Sequence, residues 1–384
     1  MKALQKFDSP VIVLVIVAVA YAVFLNARLA VHQYDFTVFV VAGDVFADAS
    51  AAPPGLKILQ NSEGYDGQFY YRMALTPFTE KETDFGIKLD YAAYRQARIV
   101  YPLLARLFSL GQMDYVPFAL VLVNYFALCL IAWFGARFAQ TAHLHAVWGL
   151  AFALYPGFLF TLSRDTTEIV AMAFLLAAIL YLLQQRQYLS GIFFILAFLT
   201  RETSLVVSGI LLVTIIFTRK HKDLWNLCLR AAIPAIGYVF WRMLVGHNWS
   251  GQAIQVIHLS DGFGLPFLGL FRFVDSIFPP VSFIQGIWLI EVFSLGVFAL
   301  VVALTLSRSK SLLAIKISWC IYVTMMLFLN QAVWVEDWGF LRVLPEVYIL
   351  GMVILLQSPS IVKGWIFNIG VFFWTLLGFN LVTR

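Results

Sequence analysis

Residues 10–25 read Pro-Val-Ile-Val-Leu-Val-Ile-Val-Ala-Val-Ala-Tyr-Ala-Val-Phe-Leu, an apolar run without a single charge. Lys2 and Lys6 precede it, as they would in a signal peptide, but no convincing small-residue cleavage site follows. The run is read as an uncleaved first membrane helix. Downstream, a polar interval over residues 26–113 gives way to about ten more apolar segments: 115–136, 144–162, 167–184, 188–200, 203–218, 228–245, 283–305, 312–332, 340–356 and 364–381. Composition agrees with this reading: 61% of residues are hydrophobic and 12% charged, against about 45–50% and about 25% in soluble domains. So apolar a chain has too little polar surface to cover itself, which excludes a cytosolic enzyme.

Charge sets the expected orientation. Alternating the segments puts Arg137, Arg186, Arg219, Lys220, Lys222, Arg308, Lys310 and Lys363 on the side of the N-terminus. With Lys2, Lys6, Arg230 and Lys316, that side carries 12 basic and 2 acidic residues, and the rest of the chain 14 basic and 19 acidic. The positive-inside rule makes it cytoplasmic. Residues 30–114 and 246–282 then become two long external loops. Within the first, Tyr34–Phe46 is apolar enough to lie along the membrane surface, and Ala92–Leu110 has helical spacing. The second reads as an interfacial or re-entrant loop. Segment 188–200, at about 1.5 Å per residue, is too short to cross a bilayer, and with its successor predicts a broken hairpin tipped by Thr200–Thr203.

The charged residues that resist a purely structural reading cluster on the external side. Asp35, after the first span, is placed to act as a general base, although a helix cap uses the same residue. Gly64-Tyr-Asp-Gly-Gln-Phe-Tyr-Tyr-Arg72 is the densest polar-aromatic cluster. Its Asp66-Gly67 turn can aim Asp66 and Gln68 at a ligand beside Tyr65. Arg95 and Arg98, three apart, suit phosphate or lipid headgroups. Two charged hairpins, Ser163-Arg164-Asp165-Thr166-Thr167-Glu168 and Thr200-Arg201-Glu202-Thr203, occur at successive external turns, so they are expected to meet around one cavity. Arg342 lies just inside an apolar segment, where a charge must face protein or water, with Glu346 as one candidate partner. Cys129, Cys228 and Cys320 sit singly in apolar stretches and suggest neither a disulfide framework nor a metal site.

Asp35 in Asp-Phe-Thr-Val-Phe-Val-Val-Ala-Gly, Tyr65-Asp-Gly-Gln-Phe-Tyr-Tyr, Tyr94-Arg-Gln-Ala-Arg-Ile-Val-Tyr-Pro, Leu199-Thr-Arg-Glu-Thr and the late Arg342 resemble motifs of the GT-C class of integral-membrane glycosyltransferases. The likeness is to bacterial polyprenyl-phosphate-sugar-dependent members and covers most of the chain. It implies an all-α polytopic membrane protein, a GT-C-like bundle of about 11 membrane segments in one domain, in a bacterial inner or cell membrane with an external or periplasmic site. It also implies a sugar donor on polyprenyl phosphate, an acceptor hydroxyl on a glycan, lipid or protein, and inversion by a single displacement. Asp35 then serves as base, with Asp66 in reserve. Tyr65, Gln68, Arg95, Arg98, Arg164, Arg201, Glu202 and Arg342 serve as substrate-binding residues. No cofactor is expected; Asp35, Asp44 and Asp66 offer oxygen ligands, but no compact Mg²⁺ or Mn²⁺ loop is present, so a divalent metal is not favoured. Nucleic acid is not an expected partner. The competing reading is a flippase or transporter of lipid-linked sugars, which would place charges at mid-membrane along a pathway instead of at one face.

Overall fold

The computed structural model describes residues 8–218, 221–250, 262–335, 339–359 and 363–383, and the side chains of 218–232 lie outside that description. The protein is predominantly helical. Helix α1, Pro10–Val31, begins where the Ser9 hydroxyl accepts a hydrogen bond from the Val11 N–H at 3.3 Å and Pro10 occupies the first turn. Both are start signals, since the cap satisfies an orphan donor and proline needs none. The first loop carries α2 (Gly67–Leu75), α3 (Ala92–Ala97) and α4 (Val100–Phe108). It also holds two ladders of two residues per strand: Ala42–Gly43 parallel to Ile58–Leu59, and Thr83–Asp84 antiparallel to Ile87–Lys88. Then follow α5 (Val116–Thr141), α6 (Pro156–Ser163), α7 (Glu168–Leu183), α8 (Gln187–Thr200), α9 (Leu205–Thr218) and α10 (His221–Asn248). Beyond these lie α11 (Leu268–Ile277), α12 (Phe283–Thr305), α13 (Leu313–Leu327), α14 (Gln331–Val335), α15 (Gly339–Val343), α16 (Pro345–Leu356) and α17 (Lys363–Val382).

Among the described residues, four helices are long and apolar enough to cross a membrane: α1, Met113–Thr141, α12 and α17. Ala146–Ala153 and α6, bent by 52° at the Tyr155-Pro156 break, make a fifth if they count as one span. The expected total of about 11 is not reached. The remaining segments do form apolar helices, but α7 has 16 residues, α8 14 and α16 only 12. At about 1.5 Å per residue these are about 18–24 Å long, short of a core of about 30 Å. Apolar content registers such runs; it does not register where Arg201 or Pro345 breaks the helix. Segment 228–245 falls inside α10, which contains Pro234.

Helix α5 is the central post, with 67% of its most apolar window buried against 22% for α1 and 28% each for α12 and α17. Those three leave wide apolar faces outward, as lipid-facing helices do. Asp8 accepts a hydrogen bond from the Ala146 N–H at 2.7 Å, so the start of α1 and the turn after α5 share one end of the bundle.

The first loop differs from expectation in two ways. Val38, Phe39, Val40 and Ala42 are buried, so this stretch joins the core and does not lie flat on a membrane surface. Ala92–Leu110 is two helices, with Arg98 in the break, so Arg95 and Arg98 serve different partners. In the second loop, residues 251–261 lie outside the described residues. Helix α11 there buries Gly269, Phe273 and Ile277 and exposes Phe271, the amphipathic pattern of an interfacial element.

Candidate active site

The position of Asp66 is fixed by a close packing of backbones. The Tyr65 N–H donates to the Val41 carbonyl at 2.8 Å, and the Gln68 side chain bridges the loop, accepting from the Gly43 N–H at 3.1 Å and donating to the Glu63 carbonyl at 2.7 Å. Gln68 is fully buried, and these bonds commit its amide to holding the loop. A Cβ on Gly67 would lie 2.4 Å from the Arg164 carbonyl and 2.7 Å from that of Val40, so only glycine lets α2 start here. Asp66 caps the helix by position, without a side-chain capping bond. Its carboxylate points instead to arginines.

Those arginines come from distant parts of the chain. Arg95 grips Asp90 with two bonds of 2.8 and 2.7 Å and reaches Asp66 at 2.9 Å. Arg342 meets the other Asp66 oxygen at 2.8 Å and Glu168 at 3.2 Å, and Arg201 meets Glu168 at 2.9 Å. The result is an alternating ladder, Asp90–Arg95–Asp66–Arg342–Glu168–Arg201. Beside it Arg98 pairs with Glu202, at 2.9 Å through Nε, and also donates to the hydroxyls of Tyr70 and Tyr94. The two charged hairpins do meet, through the Glu168–Arg201 ion pair, but neither of these residues lines the cavity beside Asp66.

Local sequence explains how each rung is held. Gly157 lets α6 approach α15 just before Arg342, since a Cβ there would sit 2.6 Å from the Leu341 carbonyl. Tyr155 donates to the same carbonyl at 2.6 Å. Arg201 stands in the break between α8 and a 3-10 turn, Glu202–Ser204, and donates to the Val343 carbonyl at 2.6 Å, which ties the hairpin tip to α15. Arginines also lie over aromatic faces: Arg342 is 4.9 Å from the Tyr65 centroid, Arg95 4.5 Å from that of Phe69 and Arg98 4.2 Å from that of Tyr94. Stacked guanidinium planes keep their charge in such surroundings. Arg164 takes part at the edge, 5.7 Å from the Tyr65 centroid and 5.4 Å from that of Phe160.

Burial opposes ionisation of Asp66, but the charges of Arg95, Arg342 and Arg98 outweigh it and hold its carboxyl well below the usual range. Glu202 follows the same logic: burial raises it, Arg98 more than compensates, and the carboxyl is lowered from 4.5 to about 2. A depressed carboxyl pKa stabilises the fold above its unfolded value, and that contribution disappears as pH falls through the folded value. Thermal unfolding in detergent should therefore show the Glu202 contribution intact above pH 4.5 and lost progressively toward pH 2. An Arg98→Gln variant should show a weaker acid dependence over that window, and an unaltered one would contradict the assignment.

A cavity of about 560 Å³ opens beside Asp66 and Arg95, bordered also by Tyr65, Lys88 and Tyr91. Asp35 stands elsewhere in its bonding: it caps the 3-10 turn Phe36–Phe39, accepting from the Thr37 N–H at 2.8 Å and the Thr37 hydroxyl at 3.0 Å. Neither those bonds nor the cavity border joins it to the ladder. Glu346 accepts from the Thr203 hydroxyl, whereas Arg342 forms ion pairs with Asp66 and Glu168. Ser163 donates to the Phe160 carbonyl at 2.9 Å, at the end of α6. Asp90 is the partner that no motif marks; its one local signal is a carboxylate five residues before Arg95. Glu336, Asp337 and Trp338 lie outside the described residues. Among the described residues no three His, Cys, Asp or Glu side chains group as a metal site. No family model matches the chain, and neither does any curated protein.

Proposed function

We propose that this chain is a membrane-embedded glycosyltransferase of the GT-C type that moves a sugar from a polyprenyl-phosphate donor to an acceptor hydroxyl at the external membrane face. The observation that carries this reading is one carboxylate, Asp66, shared between Arg95 and Arg342 at the border of a cavity. Glycosyl transfer from a lipid phosphate needs a base for the acceptor and positive charge for the departing phosphate. Guanidinium groups meet the second need without a metal.

In the proposed reaction the acceptor oxygen attacks C1 of the sugar and gives its proton to Asp66. The bond from C1 to the phosphate oxygen breaks, its electron pair leaves with polyprenyl phosphate, and the configuration inverts. Arg342 changes partner on the way. While it holds Asp66, the carboxylate is a weak base; a phosphate that draws Arg342 toward itself removes one of the charges holding the Asp66 pKa down. Donor binding thereby activates the base. The shorter apolar helices complete the bilayer crossings in pairs, through breaks surrounded by protein.

Two measurements test the proposal. Arg342→Ala, reconstituted in nanodiscs, should lose release of polyprenyl phosphate from a polyprenyl-phosphate sugar by about 10²-fold or more. A folded variant with normal donor turnover would remove Arg342 from the donor site. The proposed orientation, a cytoplasmic N-terminus with the ladder on the outer face of a bacterial cell membrane, is tested by cysteines placed at residues 60–90 and 308–316. An impermeant reagent on intact cells should label the first set and not the second, and the opposite pattern would reverse the donor side.

A further inference from the structure

The cavity next to Asp66 has a chemical character of its own. Its volume of about 560 Å³ falls in the range of about 300–1,000 Å³ that binds small organic ligands. Its border mixes aromatic rings with Glu63, Lys88 and Asp90, unlike the cavity of about 140 Å³ between α12, α16 and α17, where Phe298, Ile366 and Phe373 give an apolar wall. The aromatic rings are not equivalent. Arg95 covers Phe69 and Arg342 covers Tyr65, whereas Tyr91, half-buried, enters none of the ring or cation contacts among the described residues. Of the rings that border the cavity, Tyr91 is therefore the one not engaged by another ring or a guanidinium among the described residues.

Charge narrows the ligand further. Arg95 is already doubly bound by Asp90 and by Asp66, and Lys88 lies 3.4 Å from Glu82, so the border has no cation in excess for a phosphate. The Asp66 and Asp90 side chains keep 21% and 15% exposure, enough to accept hydrogen bonds from hydroxyl groups. Glu63 adds another acceptor at the mouth. A ring face beside several hydroxyl acceptors suits a molecule with one apolar C–H face and many O–H donors.

We infer that this cavity is a saccharide subsite for a neutral sugar of one or two rings, with Tyr91 as the stacking platform and Asp66, Asp90 and Glu63 as hydroxyl acceptors. Its role as the acceptor subsite rests on the glycosyltransferase reading; its ability to bind sugar does not. On that reading the acceptor is a glycan, and the hydroxyl bonded to Asp66 is the one that attacks.

The test is saturation-transfer NMR on the full chain in nanodiscs free of sugar detergents, without donor, using methyl glycosides, neutral disaccharides and a glycolipid added to the bilayer. At least one should give saturable transfer. Tyr91→Ala should weaken it tenfold or more, Tyr91→Phe should retain it, and Glu63→Gln should weaken it severalfold. Tyr188→Ala, a surface change elsewhere, serves as the control. Binding by the soluble sugars assigns a free glycan, and binding by the glycolipid alone assigns a lipid-linked one. Absence of transfer with every probe, or Tyr91→Ala behaving as wild type in a folded sample, overturns the subsite. Donor turnover, measured on parallel samples of the same preparation given polyprenyl-phosphate sugar, separates the two ideas: sugar binding without donor consumption sinks the enzyme reading alone, and donor consumption without sugar binding sinks the subsite alone.

Discussion

Asp66→Asn is expected to lower glycosyl transfer by about 10² to 10⁴-fold, the range over which a positioned general base acts. The amide keeps the size of the side chain and removes its basicity. Asp35→Asn is the paired comparison. Its carboxylate accepts from both the backbone and the hydroxyl of Thr37, so the substitution should act mainly on the cap, at about 1 kcal/mol or less, and change transfer only a few-fold. Turnover, melting temperature and donor binding should be measured for both. A folded Asp35→Asn protein that has lost transfer while Asp66→Asn retains it would return the base to Asp35, the residue that the motif resemblance favours. Because Asp66 also joins Arg95 to Arg342, a structural effect has to be separated from a catalytic one. Asp66→Glu, which keeps a carboxylate, should recover part of the lost activity only if basicity matters.

The largest effect on stability is expected at Glu168. Its side chain is 1% exposed and faces both Arg201 and Arg342, so Glu168→Ala leaves two buried guanidinium groups without their shared carboxylate. Breaking a buried pair in this way costs about 3–5 kcal/mol, because the stranded charge stays desolvated. Thermal unfolding in detergent should show a large drop in melting temperature. The effect should be non-additive with Arg342→Ala, which removes one of the stranded charges, with a coupling of about 0.5–3 kcal/mol. Additive losses would mean that Arg342 does not depend on Glu168 for its position, and the ladder would then be two independent halves.

The same ladder links stability to function. Six alternating charges are expensive to bury, and six hydrophobic side chains of similar volume would serve packing as well or better. On the proposed reading, charges kept in register near a cavity exchange partners when the donor phosphate arrives. Arg342 and Arg95 are alike in this respect, each contacting two carboxylates and lying over a ring, Tyr65 for the first and Phe69 for the second.

Some of this was fixed by the order of residues alone. The apolar runs determine that the chain is helical and carries helices long and apolar enough to cross a membrane, and α1, α5, α12 and α17 follow from them. The charged hairpins at 163–168 and 200–203 and the Tyr65–Arg72 cluster are equally visible, because polar groups interrupting apolar segments need partners. Tertiary structure alone decided which partners. Arg342 lies 276 residues from Asp66 and Arg201 lies 33 from Glu168, and no periodicity relates positions so far apart. The number of helices long enough to cross a membrane was decided there too, since apolar content does not register where a helix of 12 to 16 residues stops. Asp35 and Asp66 are both loop carboxylates beside aromatic residues in the sequence; only the packing of α2 against the Arg164 backbone, and of α15 against α6, places arginines at one of them.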